Sequence, residues 1–105
     1  MIRWSPEAVA RLEAIESHVE RDNPSAAIRL VGRLIERAEQ LAEHPRLGRP
    51  VAEARDEALR EVVEGNYRIV YRVIGQPAVV ELVTIFEAHL PSELAPRSRR
   101  RSRRP

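Results

Sequence analysis

A chain of 105 residues suits one domain with its own core, and the absence of cysteine excludes disulfides and thiolate metal sites. No apolar run is long enough to span a bilayer and residues 1–6 lack the apolar segment of a signal peptide, so we expect a cytoplasmic protein with no membrane partner. The net charge of +2 hides an uneven distribution: residues 1–96 hold 12 arginines and all 16 acidic residues, a balance of −4, so the high pI does not make this body a nucleic-acid binder.

Two cap-and-proline signals predict a helical hairpin after a short extended start at residues 2–4. Ser5 with Pro6 begins the first helix, and Asn23 with Pro24 begins the second. Apolar residues recur at helical spacing in both: Ala8, Leu12, Ile15 and Val19, then Ala27, Leu30, Val31, Leu34, Ala38 and Leu41. Because each helix has a single apolar stripe, the stripes must pack together, against a sheet or on a partner.

Proline and glycine end the second helix within residues 43–50, and residues 52–59 fit either a short helical turn or a loop. Three β-prone runs follow at residues 60–63, 67–74 and 79–86, and they are separated by turn sequences around Gly65 and Gly75. The positive φ of a hairpin turn explains Gly65. We therefore predict an α+β fold in the order β-α-α-β-β-β, with the helical hairpin packed on one face of a small antiparallel sheet.

The middle strand of this sheet has two different faces, since successive side chains of a strand point to opposite sides. One face holds Tyr67, Ile69, Tyr71 and Val73, and the other holds Arg68, Val70, Arg72 and Ile74. We expect the tyrosine face to lie under the helices as core, in preference to a base-stacking platform. Trp4 is expected to be a core or helix-edge anchor.

The domain should comprise residues 1–96. Residues 97–105 contain six arginines and no apolar side chain with which to fold, so we expect a disordered arginine-rich tail. This tail either adds a weak, salt-sensitive attraction to DNA or RNA or is simply solvated.

Candidate site residues centre on the arginine face. Arg68 and Arg72 either grip a phosphate or carboxylate, or pair with Glu61 or Glu81 across strands; pairing is the better interpretation for Arg72, and both remain open for Arg68. His89 is the histidine whose position suggests proton transfer. With no paired carboxylate-histidine spacing and no phosphate-binding glycine loop, we expect neither a metal nor a cofactor.

The residues together resemble toxins of the RelE/ParE superfamily of type II toxin-antitoxin systems. The resemblance covers about residues 2–90. It is carried by the helical hairpin, by His-Pro-Arg-Leu-Gly-Arg-Pro at 44–50, by Leu-Arg-Glu-Val at 59–62, by Asn-Tyr-Arg-Ile-Val-Tyr-Arg-Val at 66–73, and by a last strand ending near His89. The 44–50 sequence and the terminal histidine look most like the ParE branch.

The resemblance implies a toxin neutralised by a cognate antitoxin, a small DNA-binding protein, in a hetero-oligomeric complex. ParE-like members inhibit DNA gyrase and block replication and growth without being enzymes. RelE-like members are ribosome-dependent mRNA endoribonucleases, and a third possibility is an inactive member that only binds antitoxin. The ParE-like function is the expectation, because the sequence lacks lysine and has no tyrosine after His89.

By the same resemblance, Arg68 matches the arginine of the superfamily's Tyr-Arg-x-x-Tyr strand, and His89 falls near a basic catalytic residue of the nucleases. These two residues are the catalytic candidates if the chain is a nuclease. The predicted target- or antitoxin-binding residues are Arg46, Arg49, Arg60, Arg68, Arg72 and His89.

Overall fold

The computed structural model describes residues 1–88 except Glu53 and Arg55. His89 and the arginine-rich tail therefore lie outside the described residues. The elements are β1 (Ile2–Trp4), α1 (Pro6–Glu20), α2 (Pro24–Glu43), β2 (Arg49–Pro50), β3 (Leu59–Glu64), β4 (Tyr67–Ile74) and β5 (Val79–Glu87). The predicted α+β class and the β-α-α-β-β-β order are confirmed, with the two-residue β2 as an addition.

Both helices begin where the cap signals predict. The Ser5 hydroxyl accepts a hydrogen bond from the Ala8 amide at 3.0 Å, and the Asn23 side chain accepts one from the Ala26 amide at 3.1 Å. Each cap satisfies an amide that has no partner inside the helix. The Ser5 hydroxyl also donates to the Val83 carbonyl at 2.9 Å, so the first cap ties α1 to β5.

The five strands form one sheet in the order β1-β5-β4-β3-β2. The predicted antiparallel pairing is confirmed for β3–β4 and β4–β5, and the additional strand β2 also pairs antiparallel with β3. β1 pairs with β5 in parallel, so the sheet is mixed and a purely antiparallel sheet is wrong. The helical hairpin, which the chain forms between β1 and the rest of the sheet, makes this arrangement possible, because a parallel partner requires a long crossover. Three residues of β1 carry no pattern that reveals their partner.

The main core lies between the helices and one face of the sheet. The predicted face of β4 forms it: Ile69 and Tyr71 are fully buried there, and Tyr67 and Val73 pack at its margin together with Trp4. They meet the buried stripes of the helices, which contain Ala8, Ile15, Leu30, Leu34, Ala38 and Leu41. The placement of the tyrosines and of Trp4 is thus confirmed.

A smaller apolar cluster covers the opposite face, which we call the open face. It contains Val51, Leu59, Val70 and Phe86. Between Leu59 and Val51 the described residues make turns, with the Leu59 amide donating to the Asp56 carbonyl at 3.1 Å. The loop alternative for residues 52–59 therefore fits the described part of this segment.

Two local features adjust the strands. Gly65 has the positive φ that the sequence predicts, at +60°, in the first position of the β3–β4 turn. The register between β4 and β5 shifts next to Val70 and Tyr71, so Val70 faces Thr84 while Tyr71 faces Leu82. Such a bulge changes the alternation of side chains along β5. Within the described residues, no helix is long and apolar enough to cross a membrane.

Candidate functional site

The open face is organised around a buried carboxylate. Glu61, in β3, is only 3% exposed. The Arg68 guanidinium, in β4, lies 3.3 Å from its Oε1 and also donates to the Ala88 carbonyl at 2.8 Å. This guanidinium stacks over the Phe86 ring at 5.8 Å from the centroid. A buried charge requires such a partner, so Arg68 is a structural counterion of Glu61.

A second arginine reaches the same carboxylate from the sheet edge. Arg49 faces Glu61 in the β2–β3 register, and its Nε donates to Glu61 Oε2 at 3.1 Å. Its side chain is nevertheless 69% exposed. Glu61 thus joins one largely buried guanidinium and one that remains accessible to a partner.

Arg72 lies farther along the open face, and its predicted pairing is confirmed. Its guanidinium is 3.0 Å from the Asp56 carboxylate and 3.6 Å from that of Glu81. A hydrogen bond from the Ala58 amide, followed by those from Arg72, holds the pKa of Asp56 below its ordinary value. Both side chains of the Arg72–Asp56 pair are well exposed, so solvent screens this interaction.

Arg60 does not share the open face. It lies opposite Tyr71 on the side of the helices, where its Nη1 donates to the Gly48 carbonyl at 2.6 Å. The Tyr71 hydroxyl donates to the Pro45 carbonyl at 2.7 Å and accepts from the Gly48 amide at 2.8 Å. Burial raises the pKa of the Tyr71 phenol, which opposes the lowering effects of the Gly48 hydrogen bond and of nearby arginines. The hydrogen bonds of Arg60 and of the Tyr71 hydroxyl hold residues 44–50, which we call the 44–50 loop, against the sheet.

Gly48 has no room for a side chain. A Cβ atom there would lie 2.6 Å from the Glu61 carbonyl oxygen and 2.7 Å from the Tyr71 hydroxyl. The loop therefore approaches the sheet at a distance that only glycine allows. The same loop leaves Arg46 and Leu47 exposed to solvent.

Open clefts flank this framework, and one of about 540 Å³ lies at the β3–β4 turn beside Asn66 and Ala88. Two smaller clefts lie nearer to the helices and to the 44–50 loop. One, of about 460 Å³, lies beside the 44–50 loop and is lined by residues that include Pro45, Arg46 and Val73. The other, of about 340 Å³, lies between α1 and the ends of β4 and β5, where burial and then the charge of Glu87 raise the pKa of Tyr67. Within the described part of the chain, no group of three or more potential metal ligands comes together.

The predicted site residues therefore do not form one cluster. Glu61 brings Arg49 and Arg68 together, while the remaining described candidates bond elsewhere or face solvent: Arg46, Arg60 and Arg72. The catalytic candidate His89 lies outside the described residues. Three features were not predicted from the sequence: the burial of Glu61, the close approach of Gly48 to the sheet, and the hydrogen bonds of the Tyr71 hydroxyl. Glu61 alternates with Leu59 in a β-prone run, and this signal could have indicated a buried carboxylate.

The architecture is similar to that of solved toxin-antitoxin structures. A chain of the chromosomal ParDE system of Pseudomonas aeruginosa superposes with a TM-score of 0.68 at 22% identity, over 82% of this chain and 92% of that one. A chain of the RelBE2 toxin-antitoxin complex of Mycobacterium tuberculosis superposes with a TM-score of 0.61 at 20% identity, over 83% and 95%. The chain thus shares its fold with these two proteins.

The sequence comparisons are more specific. The candidate toxin Y4kP of Sinorhizobium fredii is 39% identical over 90 residues, which cover 84% of this chain and 88% of that protein. The family described as ParE toxin of type II toxin-antitoxin system, parDE, matches residues 2–89. The chain belongs to this ParE toxin family, and it is a toxin of a toxin-antitoxin system.

Proposed function

We propose that this toxin inhibits DNA gyrase by binding to it, that it blocks replication and growth in this way, and that it is not an enzyme. The observation that carries the proposal is the commitment of Arg68 to Glu61 and to the Ala88 carbonyl. Arg68 is the arginine that a nuclease of this superfamily would need for RNA. Its side chain is 16% exposed and neutralises a buried carboxylate, so it is a poor ligand for a scissile phosphate.

The other described arginines support a binding role over catalysis. Arg60 donates to a backbone carbonyl, and Arg72 pairs with two carboxylates. RNA cleavage needs groups that move a proton and groups that stabilise charge on the phosphate. Lysine is absent from the chain, and its two tyrosines, Tyr67 and Tyr71, pack at or in the core. A protein inhibitor needs only a complementary surface.

We further propose that a cognate antitoxin, a small DNA-binding protein, covers part of the helical hairpin in a hetero-oligomeric complex. The hairpin exposes large apolar side chains, among which Val9, Ile28 and Ile35 stand out, and Ile28 is 71% exposed. Exposed apolar side chains on a helix are typical anchors for a partner. The two structural relatives belong to toxin-antitoxin systems.

Gyrase inhibition is tested by inducing the toxin without antitoxin and by adding purified toxin to gyrase. The expected results are filamentous cells, a DNA-damage response, and loss of supercoiling activity in vitro with accumulation of cleaved DNA. Primer extension on ribosome-bound mRNA serves as the parallel assay. Rapid mRNA cleavage with unchanged supercoiling would replace the proposal with the RelE-like endoribonuclease, and no effect in any assay would indicate a member that only binds antitoxin.

Antitoxin binding is tested by co-expression with the neighbouring reading frame. Wild-type toxin should co-purify with the antitoxin, and Ile28→Ser with Ile35→Ser should weaken that complex. Arg21→Glu, an exposed substitution between the helices, serves as the control for general surface effects. Equal recovery of antitoxin by all three proteins would place the antitoxin elsewhere.

A further inference from the structure

The 44–50 loop is held against the sheet by contacts within the chain itself. The buried Tyr71 hydroxyl bonds to both Pro45 and Gly48, Arg60 bonds to the Gly48 carbonyl, and β2 pairs the end of the loop with β3. An element that is already rigid loses little conformational entropy when it binds. The contacts of Pro45 and Gly48 are directed inward, so they leave Arg46 and Leu47 accessible on the outer side of the loop.

The outer side carries a charged and apolar combination. Arg46 is exposed, Leu47 is 49% exposed, and the accessible part of Arg49 lies two residues beyond Leu47. Leu47 belongs to neither apolar cluster of the fold. Arginine side chains often supply much of the binding energy of a protein interface. A single exposed leucine does not by itself indicate an interface, but between two arginines Leu47 adds apolar area to the same surface.

The cleft beside the loop offers space for a side chain of the partner. Its volume of about 460 Å³ is bounded by the loop at Pro45 and Arg46 and by the β4–β5 connection at Gly75, with Val73 contributing apolar surface. Glu43 is a carboxylate on its lining, while Arg46 and Arg60 supply two guanidinium groups. The arginines exceed the carboxylate on the lining, so the cleft favours an apolar side chain that is flanked by acidic residues.

We propose that the 44–50 loop and its cleft are the surface with which the toxin holds its protein target, and that the matching target surface is acidic with an apolar side chain to fill the cleft. This inference rests on the proposed function, since it takes the target to be gyrase. It separates the target surface from the helical hairpin proposed for the antitoxin. Arg46 and Leu47 make the contact, whereas Gly48, Arg60 and Tyr71 position the loop.

The test uses the full chain with Arg46→Glu and Leu47→Ser combined, since neither side chain holds the fold together. Arg21→Glu is the control, because it reverses the charge of another exposed arginine, which lies away from the loop. Three quantities are measured for each protein: the melting temperature, the recovery of co-expressed antitoxin, and capture by immobilised purified gyrase. We expect the loop variant to lose at least about tenfold in affinity for gyrase, with melting temperature and antitoxin recovery unchanged.

Growth arrest, measured at matched protein levels, is a readout that does not depend on binding to gyrase. If wild-type toxin neither binds nor inhibits gyrase, the proposed function fails. The loop inference then stands only if the loop variant loses growth arrest while the control keeps it, and if raised salt weakens the capture of some other target protein. Growth arrest and gyrase capture equal to wild type in the loop variant would overturn the inference. So would binding to ribosomal RNA that depends on Arg46.

Discussion

Arg68 lies diagonally across from Glu61 on neighbouring strands, and it bonds at the same time to that buried carboxylate and to the Ala88 carbonyl just beyond β5. One guanidinium thereby connects β3 to the end of the last strand. Because the bond to Ala88 is to the backbone, the connection depends on the arginine and not on which side chain stands at position 88.

Removal of Arg68 should destabilise the fold more than removal of Arg72. Arg68→Met leaves the buried Glu61 with fewer cations, which should cost about 3 kcal/mol, whereas Arg72→Met breaks exposed pairs and should cost less than about 1 kcal/mol. Urea unfolding at neutral pH measures both. A second change, Glu61→Leu in the Arg68→Met background, should restore part of the stability by removing the uncompensated charge. Equal midpoints for the two single variants would contradict the buried pair.

Tyr71→Phe should lower stability at neutral pH by about 1–2 kcal/mol, because it removes a buried donor to Pro45 and a buried acceptor for Gly48. Since burial raises the pKa of Tyr71, the folded state favours the neutral phenol. The stability that the neutral Tyr71 phenol contributes is fully present below the ordinary tyrosine pKa of 10.0, and it is lost as the pH rises through the folded-state pKa. In urea titrations at alkaline pH, the difference in the free energy of unfolding between wild type and Tyr71→Phe should therefore become smaller. A difference that becomes larger would contradict this pH dependence.

Two glycine-to-alanine changes should act in opposite directions. Gly48→Ala places a Cβ against the Glu61 carbonyl and the Tyr71 ring, so it should cost about 2 kcal/mol or more through displacement of the 44–50 loop. Gly32→Ala, in α2, meets no atom within 4 Å and should stabilise the protein by about 0.5–1 kcal/mol. Thermal unfolding of both variants provides the comparison. A stable Gly48→Ala protein would mean that the loop is held loosely.

A chain that ends at Pro96 should keep the melting temperature of the full chain, because residues 97–105 contain no side chain that could compensate for ordering them. Calorimetry at low and at moderate salt measures the difference. A lower melting temperature for the shorter chain, and most of all one that appears only at low salt, would show that the tail docks on the acidic body.

Local chemistry made the elements predictable. Ser5-Pro6 and Asn23-Pro24 mark helix starts whose caps form within a few residues, and the alternation around Ile69 assigns the buried face of β4. These signals depend only on neighbours in the chain. The α+β class, the element order and the pairing of Arg72 with Glu81 follow from them.

The remaining features depend on residues far apart in the sequence. The parallel partner of β1 lies almost the whole domain away, and nothing in three residues encodes it. The need for glycine at position 48 arises from Tyr71 and Glu61, which only the fold brings near. The burial of Glu61 likewise results from the packing of residues that are distant in the sequence. Its pairing with Arg68 could therefore be expected, but the burial of that pair could not.

The parallel pairing of β1 with β5 also determines when the sheet can be completed during synthesis of the chain. The first strand bonds to the last, with the Val80 amide donating to the Met1 carbonyl and the Ser5 amide to the Leu82 carbonyl. While a ribosome is still translating the chain, Ile2–Trp4 have no partner strand until Val79–Glu87 have left the exit tunnel. A nascent chain interrupted before that point contains the residues of the helical hairpin but lacks β5, so β1 has no strand to pair with and the five-stranded sheet stays incomplete.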